Sequence, residues 1–176
     1  VPATFQANCL PYSPSLVMDV NDGLIQDASE VDPALLKRYQ SLVGALLYAA
    51  TNTRPDIAYT VGMLCRAMGK PTPVLYAAAE RVLFYLHRTR TLGLRYEASE
   101  TPLVGYTDSD WAVKHSTSGS QYASSKAVIS WGSKKQSSVA LSSCEAEIVA
   151  ASEACKEGIY LDNLLEELGL NSEDPV

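Results

Sequence analysis

Four acidic side chains lie in two short stretches of the sequence where they could meet a metal ion. Asp108 and Asp110 stand in the run YTDSDW at the end of a predicted strand, and Glu145 and Glu147 stand in the first turns of a predicted long helix. Mg²⁺ prefers hard oxygen ligands, usually one or two carboxylates together with substrate phosphates. A carboxylate from a sheet and another from a helix packed on that sheet would therefore support metal-assisted hydrolysis of a phosphodiester.

The same acidic residues also have a purely structural explanation, which their spacing leaves open. Asp is common at strand ends, and Glu is common in the first turn of a helix, where it interacts favourably with the helix dipole. Other candidates for chemistry are weaker: His87 and His115 lie on different predicted elements, and His87 is interpreted as a helix-end cation. The four cysteines form no CxxC pair, which argues against a zinc site or a disulfide framework.

The elements that must position the acidic residues are short strands followed by one long helix. After Gly93 the apolar period changes towards two residues, and antiparallel strands are predicted near residues 94–96, 103–107, 120–127, 128–132 and 137–141. Ser142 then begins the long helix, with Glu145 completing a capping box and Gly169 ending the helix. The residues predicted to form its buried stripe are Ile148, Ala151, Cys155, Leu161, Leu165 and Leu168.

The first half of the chain predicts an extended arm and a small helical bundle. Residues 1–33 contain four prolines and no sustained periodicity, which is typical of an arm or linker. Three short helices are predicted over residues 34–92, with breaks at NTRP (52–55) and PTP (71–73). Helices, then strands, then one long helix form an α+β order, and the last domain is predicted to cover residues 93–176.

The charge is unevenly distributed along the chain. The net charge of −6 would by itself disfavour a nucleic-acid partner. Residues 34–97 nevertheless hold nine Lys or Arg against three acids, a local charge of +6, whereas residues 98–176 hold five bases against twelve acids, or −7. The middle third could follow phosphates and the last third could hold cations, unless the charged helix faces are simply solvated.

Length and composition limit the classes of protein that remain. A chain of 176 residues with 47% hydrophobic residues is long enough for one compact domain with an appendage, which excludes large multidomain enzymes and predominant disorder. Its longest uncharged apolar stretch, residues 42–50, is much shorter than the ~20 residues that span a bilayer. The sequence therefore predicts a soluble, intracellular protein without membrane association.

Several motifs resemble those of one family, in the family's order. Four runs are similar to the ribonuclease H domain of Ty1/copia-type retrotransposon polyproteins: YTDSDWA (106–112), STSG (116–119), ISWGSKKQ (129–136) and VALSSCEAEIVA (139–150). Three upstream runs are similar to the end of the reverse transcriptase that precedes it: YQSLVGALLY (39–48), TRPDIA (53–58) and RVLFY (81–85). Together these motifs cover most of residues 39–170.

The resemblance implies a fold, an activity and a site. The fold is a ribonuclease H-like mixed sheet with a long packed helix, preceded by a helical reverse transcriptase connection. The activity is cleavage of the RNA strand of RNA–DNA hybrids with Mg²⁺, or alternatively Mn²⁺, and the location is cytoplasmic, nuclear or within a virus-like particle. Asp108 and Glu147 match the catalytic, metal-binding aspartate and glutamate.

Basic residues complete the expected site. An RNA–DNA hybrid or another nucleic acid is expected to contact Arg81 and Arg88 on the third helix. Lys134 and Lys135, placed in a turn between predicted strands, are expected to contact phosphates, unless the turn is merely solvated.

The sequence also departs from the family pattern. The family continues past the long helix into a strand with an Asp-Asn pair and then a further acidic residue, whereas the sequence stops at Val176. The resemblance thus predicts a ribonuclease H domain shortened at its C-terminus, which leaves catalytic competence open. The alternative is an inactive, domesticated remnant that binds nucleic acid or, through an open sheet edge, a protein partner.

Overall fold

The computed structural model describes residues 32–97, 102–111, 116–124 and 127–170, which divide into two compact units with the boundary after Gly93. Nearly all of the predicted N-terminal arm lies outside these residues. The described part of the chain contains four α-helices and a three-stranded antiparallel sheet. The α+β class predicted from the order of elements is therefore confirmed.

Three helices form the first unit. Helix α1 spans Pro33–Asn52, α2 spans Ala58–Cys65 after a 3-10 turn at Pro55–Ile57, and α3 spans Pro73–Arg88. The predicted breaks are confirmed, because a proline occupies the first turn of α1, α3 and the 3-10 turn, where its missing N–H leaves no intrahelical bond unmade. The fully buried side chains of this unit come from all three helices and the turn: Tyr39, Val43, Ile57, Val61, Leu64, Leu75, Ala79 and Val82.

A buried ion pair joins the loop after α1 to the end of α3. Arg54 is only 8% exposed and makes two bonds to the Asp56 carboxylate, of 2.9 and 2.7 Å. Its remaining N–H groups donate to the carbonyl and hydroxyl oxygens of Thr89, and the Tyr85 hydroxyl donates to Asp56 at 2.8 Å. The TRPDIA motif thus supplies a structural clamp, which we call the Arg54 clamp (Arg54, Asp56, Tyr85 and Thr89).

The sheet of the second unit has the order β1-β2-β3, with β1 spanning Val104–Asp110, β2 spanning Thr117–Ser124 and β3 spanning Ala127–Lys135. Each strand is antiparallel to its neighbour, and a bulge shifts the β2–β3 register between Tyr122 and Ala123. One edge of β1 therefore has no strand partner among the described residues.

Two of the five predicted strands are wrong, and the other three have different bounds. Residues 94–97 form no strand, because Tyr96 reaches the sheet through its side chain, whose hydroxyl donates to the Val128 carbonyl, and not through a backbone ladder. Residues 137–141 form bends and irregular backbone, not a strand. Val139 and Leu141 suggested an apolar strand face, but both are exposed, Leu141 by 86%, and Ala140 between them is buried.

Helix α4, Ser143–Glu167, packs on β1 and β2 through small residues. Its buried positions are Ala146, Ala150, Ala154, Gly158 and Leu161. The predicted stripe is therefore wrong except near Leu161 and the half-buried Leu165: Ile148 is 64% exposed, Cys155 and Leu168 are exposed, and Ala151 is only half-buried.

The small residues of α4 make room for one large aromatic side chain. Tyr122 lies between Gly105 of β1 and Gly158 of α4, and its hydroxyl donates to the Ala154 carbonyl. A Cβ on Gly158 would meet the Tyr122 hydroxyl at 3.2 Å, which is tighter than ordinary van der Waals contact, so a glycine there favours the close approach of helix and sheet.

Both ends of α4 follow the sequence prediction. Ser142 Oγ accepts from the Glu145 N–H, and the Glu145 carboxylate accepts from the Leu141 N–H at 2.7 Å. Gly169 ends the helix with a φ of 69°, in the left-handed region that favours glycine. None of the helices in the described ranges is long and apolar enough to cross a membrane.

Candidate active site

Asp108 lies on the edge strand of the sheet. It is exposed in β1 and pairs with Gly119 of β2. Because side chains alternate along a strand, Gly105 and Ser109 share the face that carries Tyr122 and packs on α4, whereas Asp108 and Asp110 start from the other face. An Asp108 carboxylate can therefore meet a group from α4 only around the open edge of β1.

Glu147 reaches that edge from the first turns of α4. The cap formed by Ser142 and Glu145 fixes the start of the helix, and Glu147 lies beside the fully buried Ala146. The Glu147 side chain is exposed, so its carboxylate can extend past the sheet edge into solvent.

The two carboxylates meet at one backbone amide. The Ser109 N–H donates to Asp108 Oδ1 at 2.9 Å and to Glu147 Oε1 at 3.3 Å. One nitrogen therefore holds an oxygen from the strand and an oxygen from the helix within 3.3 Å of itself. The structure thus brings together the two acidic residues that the resemblance singled out, whereas the carboxylate of Glu145 is used in the helix cap.

This arrangement suits a divalent cation with few protein ligands. Two negative charges share one neutral donor, and a cation between the oxygens would relieve their repulsion. In the ranges that the structure describes, no three Asp, Glu, His or Cys side chains come together as a metal cluster. A two-carboxylate site of this kind fits Mg²⁺, which keeps several waters and takes further ligands from substrate phosphates.

Gln136 ties the start of α4 to the sheet. It is only 5% exposed, and its Nε2 donates to Ser118 Oγ and to the Ala146 carbonyl, both at 2.9 Å. Its backbone N–H donates to the Ser116 carbonyl at 2.8 Å. Gln136 therefore fixes the residue directly before Glu147 relative to β2.

Gln136 is the last residue of the ISWGSKKQ motif, but the motif indicated no role for it, and no pattern in the sequence indicated the Ser109 amide. The feature that could have drawn attention to Gln136 is its position, as a polar residue between the alternating pattern of β3 and the Ser142 cap of α4. Each of these two residues has one buried side-chain oxygen, Ser109 Oγ and Gln136 Oε1, without a hydrogen-bond partner within the described parts of the chain.

The predicted basic contacts fall in both units. Lys134 and Lys135 are exposed, but they are the last residues of β3 and not part of a turn, because pairing with β2 continues to Thr117 and Lys135. Arg81 and Arg88 are exposed on α3, two turns apart and on one face of the helix. His87 is exposed in the last turn of α3, and His115 lies outside the described residues.

Comparison with known proteins finds transposon polyproteins and a shorter relative. The chain is 42% identical over 142 residues to the retrovirus-related Pol polyprotein from transposon TNT 1-94 of Nicotiana tabacum, which covers 78% of this chain and 11% of that protein. It is 35% identical over 170 residues to the polyprotein from transposon RE1 of Arabidopsis thaliana, covering 94% of this chain and again 11% of that protein. The chain thus spans about a tenth of each of these polyproteins.

The shorter relative is named as an effector protein and not as a Pol polyprotein. The chain is 45% identical over 128 residues to secreted RxLR effector protein 161 of Plasmopara viticola, covering 70% of this chain and 90% of that protein. No family model and no solved structure matches the chain. The polyprotein relatives extend over most of the chain, and the match to the RE1 polyprotein is long enough to include both Asp108 and Glu147. The chain belongs to the family of retrovirus-related Pol polyproteins from copia-type transposons.

Proposed function

We propose that this chain is the ribonuclease H-type segment of such a polyprotein and cleaves the RNA strand of RNA–DNA hybrids with Mg²⁺ or Mn²⁺. The observation that carries the proposal is the Ser109 amide, which donates to both Asp108 and Glu147. A strand carboxylate and a helix carboxylate at one point can hold a cation that assists phosphodiester hydrolysis. The proposed fold is a ribonuclease H-like sheet of which β1–β3 and α4 are the described part.

The two carboxylates would be the protein ligands of the cation. Asp108 would contribute from β1 and Glu147 from α4, while the Ser109 N–H keeps both side chains at the sheet edge. When bound, the cation supplies charge neutralisation at the phosphate and an activated water. Gln136 would act indirectly. By donating to the Ala146 carbonyl it keeps the first turns of α4 in place, so that Glu147 stays within reach of the Ser109 N–H.

Basic residues would bind the nucleic-acid backbone. Lys134 and Lys135 would each place a point charge near a phosphate beside the sheet unit, and Arg81 and Arg88 would contact phosphates from α3. Recognition of RNA as opposed to DNA would depend on the 2′-hydroxyl. The activity would be used during reverse transcription, in the cytoplasm, the nucleus or a virus-like particle.

A second candidate is a binding module without turnover. Only two acidic side chains meet at the sheet edge among the described residues, and the Plasmopara viticola protein, nine-tenths covered by the match, is named an effector and not a polyprotein. A chain of this kind would retain binding to nucleic acid, or to a protein through the open edge of β1, without cleaving a substrate.

The test is cleavage of a labelled RNA–DNA hybrid in the presence of Mg²⁺. The intact chain and Glu145→Gln should release RNA fragments, because a glutamine at 145 can still accept from the Leu141 N–H. Asp108→Asn and Glu147→Gln should lose at least about tenfold in rate, since each removes one charged ligand.

The two candidates give opposite results. If the chain binds the hybrid in a salt-sensitive way but releases no product at any Mg²⁺ or Mn²⁺ concentration, the nuclease proposal is wrong and the binding module is supported. Equal cleavage by the intact chain and Asp108→Asn would show that the activity resides elsewhere or in a contaminant.

A further inference from the structure

Helix α3 carries a second stripe at helical spacing, on the side turned away from the core. Its members follow one another at steps of three and four residues and therefore share one face of the helix: Val74, Ala77, Arg81, Phe84 and Arg88. We call this set the Phe84 stripe.

The described residues leave the middle of the Phe84 stripe largely uncovered. Phe84 is 68% exposed and lies half a turn around the helix from the buried Leu75 and Val82. Val74, near the start of the stripe, is 51% exposed. Apolar residues at steps of three and four are the pattern by which a helix packs on another segment, so the stripe suits a covering segment.

The charge of the stripe limits the kind of segment that fits. Arg81 and Arg88 lie beside Phe84 on the same face and are exposed, and α3 has a single acid, Glu80. Complementary charge favours a partner that brings carboxylates to the two guanidinium groups and apolar side chains to the Phe84 ring.

The chain itself contains a segment of that composition. Residues 1–31 hold four acids and no Lys, Arg or His. Three of the acids stand among apolar residues in LVMDVNDGLIQD (16–27), which we call the acidic segment. It offers the two kinds of side chain that the Phe84 stripe calls for.

The acidic segment is long enough to reach the stripe. An extended chain covers about 3.3 Å per residue, so the connection from Asp19 to Asp32 can span about 40 Å. Helix α1, which begins at Pro33, packs on α3 and with its 20 residues is only about 30 Å long. Every part of α3 is therefore within reach of the acidic segment.

The exposed apolar residues of α4 are a poor alternative for the acidic segment. Ile148 and Ile159 are each 64% exposed, but α4 carries seven acids and one lysine. Like charges brought together disfavour a contact, so an acidic segment is repelled there. Charge thus selects the Phe84 stripe over the exposed residues of α4.

We propose that the acidic segment docks on the Phe84 stripe. Its aspartates would pair with Arg81 and Arg88, and its apolar side chains would cover the Phe84 ring. The contact would occupy the two arginines to which we assigned phosphate binding, so nucleic acid and the acidic segment would compete for α3. The docking itself requires neither cleavage nor a metal ion.

The test measures how well the Phe84 ring is covered in the full chain. Phe5 and Phe84 are the two phenylalanines of the sequence, so a chain labelled with fluorophenylalanine gives two fluorine NMR signals, which Phe5→Leu assigns. A neutral, soluble gadolinium chelate broadens the signal of an exposed ring more than that of a covered one. The test variant combines Asp19→Asn, Asp22→Asn and Asp27→Asn, which removes three charges from the acidic segment.

The matched control combines Asp162→Asn, Glu166→Gln and Glu167→Gln, which removes three exposed acids from α4. Broadening of the Phe84 signal should be about twofold or more stronger in the test variant than in the unmodified chain or the control. Salt at about 0.5 M should have the same effect on the unmodified chain, because it screens exposed charges.

Equal broadening in all three forms overturns the proposal. Cover of Phe84 that grows with protein concentration would assign the stripe to a second copy of the chain, and cover that arises only with added RNA–DNA hybrid would assign it to nucleic acid. Either result also overturns docking of the acidic segment. Because docking is measured without hybrid or Mg²⁺, its failure and that of the nuclease proposal are distinguishable.

Discussion

Replacing Asp56 with alanine would leave the Arg54 guanidinium buried without its counter-charge. Arg54 is 8% exposed and has no other carboxylate partner in the Arg54 clamp, where its remaining bonds go to Thr89. The hydrogen bond that Arg54 donates to Asp56 is the largest cause of the raised pKa of Arg54. Without this bond the guanidinium still stays charged, because arginine keeps its proton throughout the ordinary pH range. The Tyr85 hydroxyl loses its acceptor in the same step.

The expected loss in the free energy of unfolding is about 3 kcal/mol, near the low end of the range for breaking a buried ion pair. The low end applies because Arg54 keeps two bonds to Thr89 and its guanidinium lies 5.4 Å from the centre of the Tyr85 ring. Small domains are stable by only ~5–15 kcal/mol, so a loss of this size removes a large part of the stability of the helical unit.

The assay is urea unfolding followed by two signals. Both tryptophans, Trp111 and Trp131, belong to the second unit, so their fluorescence reports on the sheet and α4. Far-UV circular dichroism reports on both units, and three of the four described helices lie in the first. Asp56→Ala should lower the midpoint of the dichroism transition and leave the fluorescence transition in place.

Glu80→Ala is the matched control, because it removes an exposed acid from the same unit and should change stability by less than ~0.5 kcal/mol. If Asp56→Ala is as stable as Glu80→Ala, the Arg54 clamp does not stabilise the helical unit and the reasoning fails.

Three further predictions concern stability. Burial, and then the hydrogen bond to Asp56, raises the pKa of Tyr85 from 10.0 to about 12. Because the phenol of the unfolded chain ionises first, stability should fall as the pH rises through this window. Tyr85→Phe should reduce that fall, measured by thermal melts at alkaline pH. Gly105→Ala would place a Cβ 2.6 Å from the Tyr122 ring and should cost about 1–3 kcal/mol in urea unfolding, whereas Gly44→Ala, with nothing within 4 Å, should add about 0.5–1 kcal/mol. Ser142→Ala removes the cap of α4 and should cost about 1 kcal/mol by the same measurement. A loss of stability in Gly44→Ala or a gain in Gly105→Ala would contradict these expectations. So would an unchanged alkaline fall in Tyr85→Phe or an unchanged stability in Ser142→Ala.

Local chemistry allowed the helix ends to be predicted from sequence. Pro33, Ser142 with Glu145, and Gly169 each act on backbone groups within a few residues of themselves, so their effect is visible in the sequence. The strand at residues 137–141 was predicted from alternation alone, and alternation does not say whether a strand partner exists.

The buried face of α4 could not be predicted from hydrophobicity. Ile148 is more hydrophobic than Ala150, but the sheet approaches α4 so closely at Tyr122 that only small residues fit on that side. Size decides this face, and the size limit comes from another element that is distant in sequence.

The candidate site was likewise predictable from the sequence only in part. Asp108 and Glu147 were found because acidic side chains in a recognised motif carry a chemical signal. The amide that joins them, at Ser109, and the buried anchor at Gln136 were not found, because a backbone N–H has no sequence signal and Gln136 acts through contacts with β2 and α4.

The most direct measurement is titration of the metal-free chain with Mn²⁺, followed by electron paramagnetic resonance, in four forms: unmodified, Asp108→Asn, Glu147→Gln and Glu145→Gln. Because Asp108 and Glu147 are brought to the same Ser109 amide, the unmodified chain and Glu145→Gln should bind Mn²⁺ alike, and each of the other two variants should bind about tenfold or more weakly. Equal Mn²⁺ binding by all four forms, or none by the unmodified chain, would contradict a cation site formed by these two carboxylates.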